Sequence, residues 1–245
     1  MDKTEILRIA REYVSGHLNC TVSDLTGQGT VFAANDNQRY PFLEICTMGY
    51  STVVSASGVL LPRLQRLLEN KTRDEVFECP FVYGQSIYYI PDGRALKRAP
   101  LNPAFTFELL QGEAIQKLRG IRGFENSLAF DESGSTPTCI VLYAVQDSQI
   151  VALAGASRES DTMWELGVDV RPAYRRGGLA TALISNLACT ILEQGVVPFY
   201  CASVTNVASQ AVAHRSGFVP CWVSTYRNTL DGSSSYDFLL KQLAL

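Results

Sequence analysis

WELGVDVRPAYRRGGLATALISNLA, residues Trp164 to Ala188, joins a strand to a helix through a turn rich in arginine and glycine. Glu165 to Val170 reads as the strand. Leu179, Leu183, Ile184, Leu187 and Ile191 recur at threes and fours and set one apolar face of the helix that follows. Between them lie Arg175, Arg176, Gly177 and Gly178. Two glycines let backbone come close to a ligand. The first N–H groups of the helix, those of Leu179, Ala180 and Thr181 among them, have no partner within the helix, and its macrodipole adds positive potential. With two arginines beside it, this turn reads as an anion site that would hold a pyrophosphate by backbone amides rather than by a Walker-type lysine.

The same regularity extends outward. Strands are expected at 105–110, 139–145, 150–157, 163–170, 197–203, 218–226 and 236–240, with helices at 112–118, 178–194 and 207–216. Before residue 100 the chain alternates differently: a helix starts behind Thr4 and stops near Gly16. Strands follow at 31–34, 43–48 and 52–56, then a helix after Gly58 with Leu60, Leu61, Leu64, Leu67 and Leu68 on one face, a turn at 73–78 and a strand at 86–90. PDGRALKRAPLNPA, Pro91 to Ala104, has three prolines and no apolar period, as a connection between domains would. The expected architecture is therefore α+β: a smaller α/β domain at 1–100, of unknown role, before a larger one at 101–245.

Composition narrows the function. The 245 residues are 47% hydrophobic and 18% charged, against about 25% charged in an average soluble domain. Twenty-one Lys and Arg against 24 Asp and Glu give a net charge of −3, so no global positive field attracts nucleic acid. No apolar run is long enough to span a membrane and no export signal opens the chain. Seven scattered cysteines without a C-x-x-C pair fit neither a disulfide framework nor a zinc site, and read as small core residues in a reducing cytoplasm. Two histidines make a metal centre improbable, and none is expected. Trp164, Trp222, Tyr83, Tyr88 and Tyr89 read as core aromatics before they read as a pocket lining.

Arg175, Gly178 and Ala180, with Pro172 and Tyr174 ahead of them, resemble the signature of the GNAT superfamily, the acetyl-coenzyme-A-dependent N-acetyltransferases. A second block, VTNVASQAVAHRSGFVPCW, resembles the family's strand, asparagine and short helix ending in G-F, through Asn206, Ser209, Gly217 and Phe218. The resemblance covers roughly residues 105–245 and extends to a bacterial branch with an extra N-terminal domain. It implies a mixed, mostly antiparallel sheet flanked by helices. It also implies acetyl-coenzyme A as acyl donor and transfer of the acetyl group to an amine by direct attack in a ternary complex. A small-molecule amine suits the mildly acidic chain. Two alternatives are a non-catalytic acyl-coenzyme-A-binding module and a protein or peptide N-acetyltransferase. Nothing in the sequence fixes the oligomeric state, and a homodimer stays open.

The resemblance also assigns roles. Val168, Asp169 and Val170 correspond to a splayed strand whose backbone pairs with pantetheine. Arg175, Arg176, Gly177, Gly178, Leu179, Ala180 and Thr181 correspond to the pyrophosphate loop, and Asn206 and Ser209 to further coenzyme A contacts. Glu165 is the candidate for taking the amine proton. Family members place this glutamate one residue earlier, so strict equivalence calls for a bulge in the strand. Asp169, on the same face, is second choice, or else an anchor for a neighbouring loop. The family's tyrosine, seven residues after the asparagine, is Ala213 here. His214 would project about 100° away around the helix, which suits a surface residue. Ser209, on the same side as Ala213 one turn earlier, is a candidate to act through a water or, before that, to hydrogen-bond coenzyme A; otherwise a different residue or solvent protonates the sulfur. A thiolate leaving group, with a pKa near 8.5, scarcely needs an acid.

Overall fold

The computed structural model describes residues 1–36, 42–79, 82 and 84–225. By contacts the chain divides into two compact units. One comprises Met1–Ala10 and Tyr89–Pro220, the other Arg11–Tyr88 with the chain from Cys221 onward.

The chain opens with α1 (Lys3–Leu18), in which Ile6, Ala10, Val14 and Leu18 are buried one turn apart, the stripe predicted from its periodicity. The short α2 (Val22–Thr26) was not predicted, since five residues carry no periodicity. It exists because Thr21 and Asp24 form a reciprocal capping box, the Thr21 hydroxyl accepting from the Asp24 N–H and the Asp24 carboxylate from the Thr21 N–H. In the second unit β1 (Gly29–Ala34) runs parallel to β3 (Ser51–Ala56), and β2 (Leu43–Met48) lies antiparallel beside β3. Every residue of β3 is buried, which explains why it shows no alternation of polar and apolar residues. Its polar groups are matched: the Ser55 hydroxyl donates to the Leu18 carbonyl at 2.8 Å. Leu64 and Leu68 of α3 (Leu61–Leu68) and Val76 of α4 (Arg73–Phe77) close a core over Ile45 and Val54.

After β4 (Gln85–Pro91), the first unit holds the strands that matter for function. β5 (Thr106–Gln111), β6 (Thr138–Gln146), β7 (Gln149–Arg158) and β8 (Met163–Val170) pair antiparallel in sequence order. Helix α5 (Leu179–Glu193) carries the chain across the sheet, so that β9 (Val197–Ser203) returns parallel to β8. Helix α6 (Val207–Arg215) and β10 (Phe218–Thr225) follow, and β10 pairs antiparallel with β2 at Val223↔Thr47 and Ser224↔Cys46. The fold is the α+β class expected, with a mostly antiparallel sheet flanked by helices. The helix expected at 112–118 is instead a 3-10 helix, entered through Gly112 at a φ of 60°. The strand expected at 236–240, and Tyr226, lie outside the described residues. No described helix is long and apolar enough to cross a membrane.

The proline-rich connection is well anchored. Arg98 donates to the Asn186 carbonyl, the Thr190 hydroxyl and the Glu193 carboxylate, and Asn186 returns a bond to the Ala99 carbonyl at 2.8 Å. The Asp92 N–H reaches the Gly217 carbonyl at 2.9 Å. Gly217, at a φ of 89°, lies so close that a Cβ there would sit 2.6 Å from the Leu96 Cα, which accounts for glycine in the G-F pair.

Candidate active site

The site begins where two strands part. β8 and β9 pair from Met163↔Val197 to Leu166↔Tyr200 and no further, although β9 runs on to Ser203. Over the same stretch β8 stays paired with β7 as far as Val170↔Ala152. One edge of residues 167–170 therefore faces an opening with its N–H and C=O groups unmatched by a strand. An extended ligand carrying amides could pair there as an added strand does. Val168, Asp169 and Val170, half-buried, lie along this edge as expected.

The turn after β8 stands at the open end. Pro172–Tyr174 form one 3-10 turn, and the Arg175 Nε donates to the Val170 carbonyl at 2.9 Å, tying the turn to the end of the strand. Arg176 has a φ of 65° and Gly178, the N-cap of α5, a φ of 80°. A left-handed arginine is costly. No side chain caps α5, so its first N–H groups are unclaimed. Arg175, Arg176, Gly177 and Gly178 are exposed, while Leu179 is buried and can offer only its backbone. Ala180 and Thr181 are half-buried in the first turn.

Glu165, Gly167 and Asp169 share the opposite face from Leu166 and Val168. The register of β8 against β7 is regular throughout, so the bulge that strict equivalence of Glu165 would need is absent. Glu165 makes no hydrogen bond or ion pair among the described residues. Burial, and secondarily the charge of Glu159, push its carboxyl up from 4.5 to about 7. Asp169 is the loop anchor. Its Oδ2 accepts from the N–H groups of Asn126 and Ser127 at 2.9 and 3.0 Å and from the Ser127 hydroxyl at 2.8 Å, and its Oδ1 accepts from the Asn126 amide at 2.6 Å. With its lone pairs so occupied, the Asp169 side chain is not a competing base. The 126–127 turn passes directly over two glycines. A Cβ on Gly167 would sit 1.7 Å from the Asn126 carbonyl oxygen, and one on Gly155 1.9 Å from that of Ser127.

The acetyltransferase (GNAT) family model matches residues 106–218. This segment is a GNAT acetyltransferase domain. Among solved structures, a GCN5-related N-acetyltransferase-like protein from Streptococcus suis aligns over 91% of this chain and 98% of its own, at 14% identity and a TM-score of 0.51, which shows a shared fold. A GNAT-family protein from Novosphingobium aromaticivorans aligns at 22% identity and a TM-score of 0.47, and a GNAT acetyltransferase from Colwellia psychrerythraea at 13% and 0.44. They cover 60% and 65% of this chain, which spans only 65% and 63% of theirs. No match is found among curated proteins.

Within this GNAT domain the family's tyrosine position, Ala213, is fully buried in the packing of α6. His214 is exposed and meets the Tyr89 ring edge-on at 5.3 Å, a surface role as expected. Asn206 caps α6, its Oδ1 accepting from the Ser209 N–H at 3.1 Å, which leaves its amide nitrogen unengaged at the mouth of the opening. The Ser209 hydroxyl lies 2.7 Å from the phenol oxygen of Tyr200, the last β9 residue paired with β8. Sequence reading passed over Tyr200, because only the pairing register shows that it stands where the strands part. Burial raises its phenol pKa, opposed by the Ser209 bond.

The seven cysteines are free thiols, and burial pushes Cys20 up to about 11 and Cys221 to about 12. Neither is a ready nucleophile. Trp164, Tyr89 and Trp222 are buried, and Tyr88 stacks on Trp222 at 4.8 Å, as core aromatics should; Tyr83 lies outside the described residues.

Proposed function

We propose that the domain transfers an acetyl group from acetyl-coenzyme A to the amine of a small molecule, by direct attack in a ternary complex. One observation carries this reading: the unmatched edge of residues 167–170 ends at the uncapped N-terminus of α5. The strand edge suits the two amides of pantetheine, and the uncapped helix start with Arg175 and Arg176 suits a pyrophosphate. Asn206 adds an amide donor beside it. Glu165, unpaired and with its pKa near neutrality, is suited to take the proton of an attacking amine at pH 7 to 8. On this reading residues 101–245 are the transferase domain, 1–100 an accessory domain, and the free cysteines suit a reducing cytoplasm. The net charge of −3 favours a small cationic amine over nucleic-acid-associated protein.

Gly177→Asp tests the cofactor site cleanly. Position 177 has no left-handed φ, and a Cβ there would meet only the Tyr174 carbonyl oxygen at 3.7 Å, so the substitution adds a carboxylate to the anion site without backbone strain. Acetyl-coenzyme A at one hundred times its Kd is expected to add about 2.7 kcal/mol to the stability of the parent. Gly177→Asp should melt like the parent without ligand and lose most of that gain. Equal gains would remove the pyrophosphate from this turn. Thiol release with a panel of small amines and peptides then identifies the acceptor; binding without release from any of them would support the binding-module alternative.

A further inference from the structure

An acyl transfer that drives out a thiolate gains from a donor aimed at the sulfur as it acquires charge. We propose that Tyr200 and Ser209 form a hydroxyl pair that hydrogen-bonds the leaving sulfur, with Ser209 as the catalytic residue and Tyr200 as the residue that positions it. The proposal rests on the reading that the acyl donor lies in the opening between β8 and β9.

The placement follows from strand geometry. From Val170 the open edge runs back to the Leu166↔Tyr200 pair, four residue steps or about 13 Å at 3.3 Å per step. The phosphate-binding turn lies beyond Val170. A chain laid along β8 from that anchor therefore carries its reactive end toward the closed end, where Leu166 faces Tyr200 across the last strand pair. Tyr200 is 3% exposed and cannot itself reach far into the opening. Ser209 can, being half-buried on the first turn of α6. The two oxygens are 2.7 Å apart, and Asn206 holds the Ser209 backbone N–H at 3.1 Å, so the residue that carries the hydroxyl is anchored by its backbone as well. If the phenol donates to the Ser209 oxygen, the Ser209 hydroxyl is turned outward as a donor. Burial keeps the phenol protonated at neutral pH and thus able to do so.

Glu165 belongs to the next strand pair, Glu165↔Phe199, and points to the opposite face from Leu166 and Tyr200. Base and hydroxyl pair thus flank one reaction centre from two sides of the sheet. The balance is simple: the amine nitrogen forms its bond to the acyl carbon, the carbon–sulfur bond breaks, the nitrogen's proton goes to the Glu165 carboxylate, and the thiolate leaves stabilised by the Ser209 hydroxyl.

The test needs no acceptor. Coenzyme A is bound to the full-length protein, and the ionisation of its thiol is followed through the ultraviolet absorbance of the thiolate, with desulfo-coenzyme A binding as a control. A donor on the sulfur stabilises the charged form, so the bound thiol should titrate about one pK unit below the thiol of free coenzyme A, a tenfold gain in thiolate. Ser209→Ala should return it to the free value and Ser209→Thr should restore the shift. Tyr200→Phe, which keeps the ring and its packing, should return it part of the way, each titration being run at a coenzyme A concentration that saturates the variant by its own desulfo-coenzyme A affinity. A bound thiol that titrates like free coenzyme A in the parent, or a shift untouched by both Ser209→Ala and Tyr200→Phe, would overturn the proposal. Failure of the parent to bind desulfo-coenzyme A would overturn instead the reading of the opening, and this proposal with it.

Discussion

Glu165→Gln is expected to lower kcat at pH 8 by about a hundredfold or more, with little change in acetyl-coenzyme A affinity. Among the described residues the carboxyl has no donor, and its pKa stands near 7, so the parent should show activity rising through pH 7 as the group ionises, a limb the variant lacks. The same residue makes an opposite prediction for stability. Its folded pKa is raised above the ordinary 4.5, so between about pH 4.5 and 7 the folded chain holds a proton that the unfolded chain has released. Stability therefore falls as pH rises through this window and is lowest above it. The penalty at pH 8 is roughly 3 kcal/mol at most, and Gln, which cannot ionise, escapes it. Glu165→Gln should thus melt higher than the parent at pH 8 and converge with it below about pH 4.5. Unfolding curves at pH 4 and pH 8, beside rates with the amine found in the thiol-release screen, decide the matter. A variant fully active at pH 8 would remove Glu165 from the chemistry, whatever its stability.

Gly167→Ala should cost more stability than any other single methyl group added to the site, above about 4 kcal/mol. The added carbon would fall 1.7 Å from the Asn126 carbonyl oxygen and 2.7 Å from its carbon, both backbone atoms. The turn cannot simply swing away, because Asp169, two residues along the same strand, holds it by four hydrogen bonds. Either those bonds break or the strand shifts. Gly178→Ala is the comparison: its φ of 80° strains an alanine, but nothing lies within 4 Å of the new atom, so about 1 kcal/mol is expected. Urea unfolding of both variants separates steric from conformational cost. Equal losses of about 1 kcal/mol would mean that the 126–127 turn yields freely and that Asp169 does not anchor it.

The half of the candidate site around Gly178 was legible in the chain because its signals are local. Arg175, Arg176, Gly177 and Gly178 are adjacent, the strand before them and the helix after them each announce their period, and the backbone N–H groups of a helix start are unpaired whatever surrounds them. The catalytic half was less so. Glu165 could be named, but not its isolation, which depends on what packs over it from residues distant in sequence. Asp169 had two readings, and the choice between them lay 42 and 43 residues upstream in Ser127 and Asn126. The helix at Gly112–Leu118 was legible but not its 3-10 type, because an apolar spacing of three and four fits a short 3-10 helix as well as an α-helix.

By itself, then, the sequence determined the strand-turn-helix around Gly178, the α+β class and the absence of tyrosine at position 213. These rest on periodicity, backbone freedom and charge, which are properties of neighbours. Only the tertiary structure decided where β8 and β9 part, that Tyr200 stands at that point with Ser209 against it, and that a loop crosses Gly155 and Gly167. Those facts depend on register between strands brought together by a crossover helix, and pairing register across 34 residues, as between Leu166 and Tyr200, leaves no mark in the local pattern of either strand.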